Sequence, residues 1–247
     1  MTIQLGIGIP SYGSKLDVGH AAMWLGLGAA LFEARDKIAL RWMAEYHING
    51  IDLCRNTIVY DAMQAGCDWV FMVDADTFHR SVDNDGLCDA IGDAGADIGQ
   101  MIRDADRGQV ALASDEGYTL REIPMPPGTN GVGLVGAPVR GRGLGDSGVC
   151  VRGLDLEPLL IEDLRGEVRP VGRIGGAFIA VHCNWLRCYW PTGPWFVMEH
   201  DYRGRPGNMR GEDYFFCDGI RQRGGVVLCD GRFEPRHVDR RRIVGQP

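Results

Sequence analysis

Apolar runs and amphipathic stretches alternate along the first hundred residues. Residues 3–9 read as a first strand, ending at Pro10-Ser11-Tyr12-Gly13. Residues 21–34 read as a helix and 38–43 as a second strand. In residues 51–63, Ile51, Cys54, Ile58, Val59 and Ala62 recur at helical spacing, and Asn49, with Asp52 three residues later, suits the N-cap. Gly66 breaks that helix. Trp69-Val70-Phe71-Met72-Val73 follows as a continuous apolar run, the pattern of a strand buried on both faces of a parallel sheet. Strand, helix, strand, helix, strand is the signature of an α/β fold built from βαβ units. Further on, the pattern predicts a helix over 84–93, a strand over 97–102 and short strand-like pieces over 109–170. Eight of the 21 residues in 128–148 are Gly, so that stretch is expected to be an irregular, mobile segment able to order over a ligand. Strands at 177–181 and 226–229 and a helix at 213–223 complete the reading.

Length and composition narrow the class. The chain has 247 residues, 45% hydrophobic and 24% charged. That is long enough for a substantial core, and it excludes disordered, collagen-like and coiled-coil chains. No convincing linker interrupts it, so a single domain over 1–247 is expected. The net charge of −7 does not suit a domain that grips nucleic acid mainly by charge. The stretch from Arg203 to Pro247 is nevertheless locally basic, with ten Arg against six Asp or Glu. The eight cysteines form no C-x-x-C pair, and no secretory leader pattern opens the chain. Reduced thiols in a cytoplasmic protein are expected. Residues 21–32, the longest apolar stretch, are too few and too Gly-rich to span a bilayer.

Chemistry concentrates in three places. Asp74-Ala75-Asp76 directly follows the buried strand. In open α/β sheets, ligands bind outside the carboxyl ends of the strands, and paired carboxylates there suit Mg²⁺ or Mn²⁺ bridging to phosphates. A bare D-x-D is a weak signal. Asp83-Asn84-Asp85 and Asp104-Ala105-Asp106 share it, but neither follows such a strand. Glu212-Asp213 opens the late helix, where acids also serve simply to complement the helix dipole. His237 lies beyond the last strand and gains meaning only from its company.

Taken in order, these pieces resemble the GT-A glycosyltransferases, in particular the family 2-like members. Ile9-Pro10-Ser11-Tyr12-Gly13 resembles the first-strand motif that cradles the nucleotide. Ile51 to Asn56 resembles the (V/I)-x-x-A-R-N helix start, with Cys54 in the small position before Arg55. Asp74-Ala75-Asp76 resembles the D-x-D motif. Gly175-Gly176-Ala177-Phe178 resembles the Gly-rich acceptor-side loop, and Gly211 to Cys217 resembles the x-E-D-x-x-F-C motif. His237, 24 residues beyond Asp213, stands where the family keeps a third metal ligand. The 128–148 stretch has no counterpart.

The resemblance implies a GT-A fold, a Rossmann-like, mostly parallel mixed sheet flanked by helices. Residues 1–105 would form the nucleotide-sugar half and 106–247 the acceptor-side half. It implies Mn²⁺ or Mg²⁺ held by Asp74, Asp76 and His237, with Asp74 also placed to hold the ribose. Pro10, Ser11, Tyr12, Arg55 and Asn56 would line the nucleotide site. Asp213 would be the general base, supported by Glu212. Gly175, Gly176, Trp195 and Phe196 would lie on the acceptor side, the two aromatics as an apolar wall. The expected activity is sugar transfer from a nucleotide-sugar, a UDP-sugar above all, to an acceptor hydroxyl, with inversion. Two competing readings are a nucleotidyltransferase, whose basic Gly-rich loop Pro10 to Lys15 matches poorly, and a sugar- or nucleotide-binding module without chemistry. A glycan, a small molecule and a hydroxymethylated DNA base all stand as acceptors, and the Arg excess after Arg203 favours one bearing phosphate.

Overall fold

The computed structural model describes residues 2–11, 37–74, 77–78, 98–114, 117–139, 148–199, 210–233 and 235–237. Its frame is a mixed seven-stranded sheet in the order β10-β13-β7-β12-β3-β1-β2. These are β1 (Ile3–Pro10), β2 (Ile38–Tyr46), β3 (Trp69–Val73), β7 (Val132–Gly136), β10 (Val168–Val171), β12 (Phe178–His182) and β13 (Val226–Asp230). β1, β2 and β3 run parallel, as do β7 and β13, while β12 runs antiparallel to both β3 and β7. β10 is antiparallel to β13 at the edge.

β3 sits centrally because it is apolar on both faces. Trp69, Phe71 and Val73 join one core cluster, and Val70 and Met72 the other. On the second face lie three helices: α1 (Ile51–Gln64), α3 (Cys183–Tyr189) and α4 (Glu212–Gln222). Cys54, Ile58, Val59 and Ala62 of α1 pack there with Trp185 and Leu186 of α3 and Phe216, Cys217 and Ile220 of α4. The first face is covered by a helix over residues 98–107, α2. Smaller sheets flank the frame: β11-β8-β9 (Arg173–Ile174, Gly148–Arg152, Pro158–Leu160), the hairpin β5-β6 (Gln109–Ser114, Gly117–Glu122), and the pair β14-β4 (Arg236–His237, Thr77–Phe78).

Three expectations are corrected. Residues 98–102 begin a helix, not a strand: Ile98, Met101, Ile102 and Ala105 share one face at helical spacing and are all buried. The Gly-rich 128–148 stretch contains β7, buried along its whole length between β13 and β12, so Val132–Gly136 is a core strand rather than part of a mobile lid. Glycine there reflects crowding, since a Cβ on Gly133 would stand 2.8 Å from Ile220 Cγ2. At α1, Gly50 rather than Asn49 holds the N-cap, with no side-chain hydrogen bond. Asp52 turns instead to the Leu53 N–H at 2.9 Å. The expected helices at 21–34 and 84–93 lie outside the described residues.

Candidate active site

Parallel β1, β2 and β3 deliver their carboxyl ends to one edge of the sheet. The antiparallel β12 brings its amino end there too, with Phe178 opposite Val73. The Gly175-Gly176-Ala177 loop therefore meets Asp74, whose N–H donates to the Ala177 carbonyl at 3.0 Å. α1 starts after β2, and α4 opens at the same edge.

Arg55 lies at the centre. Only 2% of it is exposed. Its Nη2 donates to Asp74 Oδ1 at 2.7 Å, and its Nη1 pairs with Glu212 Oε1. Burial opposes the charge on Arg55, but the Asp74 and Glu212 carboxylates outweigh it and raise the pKa. Burial pushes the Glu212 carboxyl up, against the pull of Arg55. The guanidinium needs the space above Gly176, where a Cβ would stand 2.6 Å from Arg55 Cζ. The Gly176 N–H in turn donates to Asp213 Oδ2 at 3.1 Å, and the Tyr214 N–H donates to Asp213 Oδ1 at 2.7 Å. One buried cation thus ties the end of β3 to the start of α4, and a glycine amide holds the next carboxylate beside it.

The other expected residues divide. Pro10 and Ser11 close β1 at this edge, with the Ser11 N–H donating to the Tyr46 carbonyl at 2.9 Å. Arg55 is neither a surface arginine nor one with its end groups free for a base or phosphate, because both are taken by carboxylates. Asn56 is not open to a nucleotide either. Its Oδ1 accepts the Trp195 and Phe196 N–H groups at 2.8 and 3.0 Å, and its Nδ2 donates to the Phe196 carbonyl at 2.6 Å. Trp195 and Phe196 are 3% and 1% exposed, so they are core rather than an acceptor wall. Phe196 packs on Phe216 at 4.3 Å between ring centroids and lies 6.0 Å below the Arg55 guanidinium carbon. Tyr12 and Asp76 lie outside the described residues. The backbone of His237 pairs with Thr77 in β14-β4, which brings His237 next to the end of the D-x-D segment.

Of the other histidines that could serve as ligands, His182 belongs to the opposite end of the sheet. It stacks on Trp69 at 4.3 Å, and burial lowers its pKa. His79, His200 and Asp83-Asn84-Asp85 lie outside the described residues. Asp104 pairs with Arg232 at 2.8 Å and Asp106 accepts the Trp69 indole N–H at 3.0 Å, so the third D-x-D braces α2 against its neighbours.

Sequence reasoning overlooked the group that fixes α4. Arg173 of β11 forks onto Asp218, Nε to Oδ1 at 2.9 Å and Nη2 to Oδ2 at 2.7 Å. Arg210 also reaches Asp218 Oδ2, at 2.8 Å, and pairs with Glu199 at 2.8 Å. The available signal was Asp218 itself, a carboxylate next to Phe216 and Cys217 on the buried side of the helix.

Among the described residues, no group of three or more His, Cys, Asp or Glu is arranged to hold a metal ion, and no helix is long and apolar enough to cross a membrane. The seven described cysteines are free thiols. No protein-family model matches the chain, and no curated protein matches it. Solved structures do. The crystal structure of A197 from STIV aligns with a TM-score of 0.52 at 14% identity, over 95% of this chain and 85% of that one. The crystal structure of GalNAc-T7 with UDP, GalNAc and Mn²⁺ aligns at 0.42 and 11% identity, over 96% of this chain and 44% of that one. The likeness to A197 is one of fold.

Proposed function

We propose that the chain is a metal-dependent glycosyltransferase of GT-A type, moving a sugar from a nucleotide-sugar, a UDP-sugar, to an acceptor hydroxyl with inversion. The observation that carries this reading is the convergence of Asp74, Glu212 and Asp213 around Arg55 at the carboxyl edge of the sheet. Motifs far apart in sequence meet there, which supports this reading.

The donor set suits a hard divalent cation. Asp74 commits Oδ1 to Arg55, its Oδ2 has no partner among the described residues, and its side chain is 22% exposed. Three carboxylates beside one guanidinium also leave this edge electron-rich. Asp74, Asp76 and His237 would hold Mn²⁺ or Mg²⁺. Bound there, the cation would offset the charge that grows on the departing diphosphate.

The remaining work falls to the chain's own side chains. The acceptor oxygen attacks the anomeric carbon as the bond from that carbon to the diphosphate oxygen breaks. The acceptor proton passes to the Asp213 carboxylate, whose orientation is set by the Gly176 and Tyr214 amides. A positioned base of this kind contributes about 10²–10⁴-fold. Glu212, gripped by Arg55, fixes the first turn of α4 and so the position of Asp213.

Calorimetry of UDP binding with Mn²⁺ tests the reading. Asp76→Ala is expected to abolish metal-dependent binding, and Asp85→Ala to leave it intact. Unchanged affinity in Asp76→Ala would overturn the assignment. Slow Mn²⁺-dependent hydrolysis of a UDP-sugar by the unaltered chain would separate an enzyme from a binding module.

A further inference from the structure

We propose that Asp218 is a positioning residue for the transfer step. By gripping Arg173 and Arg210 together, it fixes the register of α4 against the Gly175-Gly176 loop, and so the place of the Asp213 carboxylate. The inference rests on the transferase reading above and adds the group that aims its base.

Contacts cross from β11 and the loop after it to α4 in antiparallel order. Arg173 meets Asp218 through the fork, Nε to Oδ1 at 2.9 Å and Nη2 to Oδ2 at 2.7 Å. Ile174 meets Cys217: the Ile174 N–H donates to Cys217 Sγ at 3.5 Å, and the thiol donates to the Ile174 carbonyl at 3.7 Å. Gly176 meets Asp213, its N–H donating to Oδ2 at 3.1 Å. Sulfur contacts are weak, and the Gly176 contact is a single bond. The Arg173–Asp218 rung has two directed, charge-assisted bonds in one plane, so it governs where the others fall.

A second arginine makes Asp218 a junction. Arg210 directly precedes Gly211, the N-cap of α4. It reaches Asp218 Oδ2 at 2.8 Å and pairs with Glu199 at 2.8 Å, while the Glu199 N–H donates to the Arg210 carbonyl at 3.1 Å. One carboxylate therefore holds both the chain entering α4 and the strand leading to the glycine loop. Asp213 lies between the two fixed points, 210 and 218.

Stability alone is a poor reason for an acid at this position. Asp218 is only 9% exposed and shares the buried side of α4 with Phe216, Cys217 and Ile220. A buried ion pair is often no more stabilising than apolar residues of similar volume. Apolar packing tolerates small slides of one element along another, whereas a guanidinium fork accepts one geometry. That difference matters at a reacting group, where a misplacement of about 1 Å is enough to lose about 10²-fold in rate.

The test uses the full chain with Mn²⁺ and reads hydrolysis of UDP-glucose, UDP-galactose and their N-acetyl forms, with water as the acceptor. Asp218→Asn removes the charge, and Arg173→Lys keeps the charge but loses the fork. In both, kcat is expected to fall about tenfold or more while KM for the donor stays within about twofold. Arg221→Gln, on the same helix but donating to the Leu154 carbonyl, should leave both constants unchanged. Amide NMR of the isotope-labelled chain gives a readout without turnover. In Asp218→Asn and Arg173→Lys, the Gly176 amide proton should move most of the way to its position in Asp213→Asn. The Tyr214 amide, which bonds Asp213 from within α4, should hold its place. A merely structural loss of α4 docking would shift both amides together. Unchanged kcat in both variants, an unmoved Gly176 amide, or joint movement of Gly176 and Tyr214 would overturn the positioning role. Absence of hydrolysis by the unaltered chain would instead strike at the transferase reading, and the amide spectra would still decide what Asp218 holds in place.

Discussion

The two ends of β3 treat their carboxylates in opposite ways. At the amino end, Asp68 is fully used by neutral donors. Its Oδ2 accepts the Gln4 N–H at 2.7 Å and its Oδ1 accepts Asn184 Nδ2 at 2.7 Å. Arg187 nearby donates to the carbonyls of Met63 and Cys67 at 2.7 and 2.9 Å rather than to an acid. At the carboxyl end, Asp74, Glu212 and Asp213 cluster about Arg55 with more negative charge than the cation neutralises. The first end closes a core with its carboxylate held by uncharged donors. The second gathers charged groups about one buried cation, an arrangement that costs stability.

The largest expected effect comes from removing the shared cation. Arg55→Met leaves Asp74 and Glu212 facing each other without it, and stability should fall by about 3–5 kcal/mol, read by urea unfolding. Combining it with Glu212→Gln should recover part of the loss, because one of the stranded charges is gone. At the other end, Asp68→Asn should cost less, about 1.5–3 kcal/mol, the loss of one hydrogen bond to a charged group. Equal losses at the two ends would erase the contrast.

Asp213→Asn separates chemistry from binding. Transfer should fall by about 10²-fold or more while UDP affinity stays within a few-fold, because the base acts only as the proton leaves. Near-normal transfer would leave Asp213 as a helix-capping acid. Gly176→Ala should destabilise by about 1–3 kcal/mol by pressing a methyl into the Arg55 guanidinium. Its kcat should fall more than its donor affinity, since the same amide holds Asp213.

The smallest effect is a labelling pattern. Burial pushes the Cys67 thiol up to about 11 and Cys183 higher still, both at the closed end. Iodoacetamide at mild alkaline pH should modify exposed Cys188 first and the half-buried Cys150 next, leaving Cys67 and Cys183 until the chain unfolds. Mass spectrometry of the native protein reads this order. Early labelling of Cys67 would mean that the closed end opens.

Much of this contrast could be read from sequence, for specific reasons. β3 announced itself because five apolar residues in a row can only be a fully buried element, and the acids after it therefore stood at a sheet edge. α1 and α4 were legible from their buried stripes. β7 was not, because glycines that make room for Ile220 look the same in sequence as glycines that loosen a loop. α2 was misread because Ile98, Met101 and Ile102 fit a short strand until Ala105 extends the period. Arg55 and Asn56 were located correctly on a helix start. Their partners, Glu212 and the Trp195-Phe196 backbone, come from the far half of the chain, and no local pattern encodes that meeting.

The short β14-β4 pairing sets an order of events during synthesis. Arg236 and His237 pair with Thr77 and Phe78, so the segment following Asp74 gains this partner only after nearly all of the described chain has been made. β1, β2 and β3 can align early, from neighbouring stretches of chain. β12 must then arrive antiparallel before α4 can dock, and the β14 segment comes last of all. Pairings so distant in sequence are slow to form, and chains emerge at about 5–20 residues per second. A ribosome-bound chain therefore carries its negatively charged edge without the β14 partner until the last of these segments has been made.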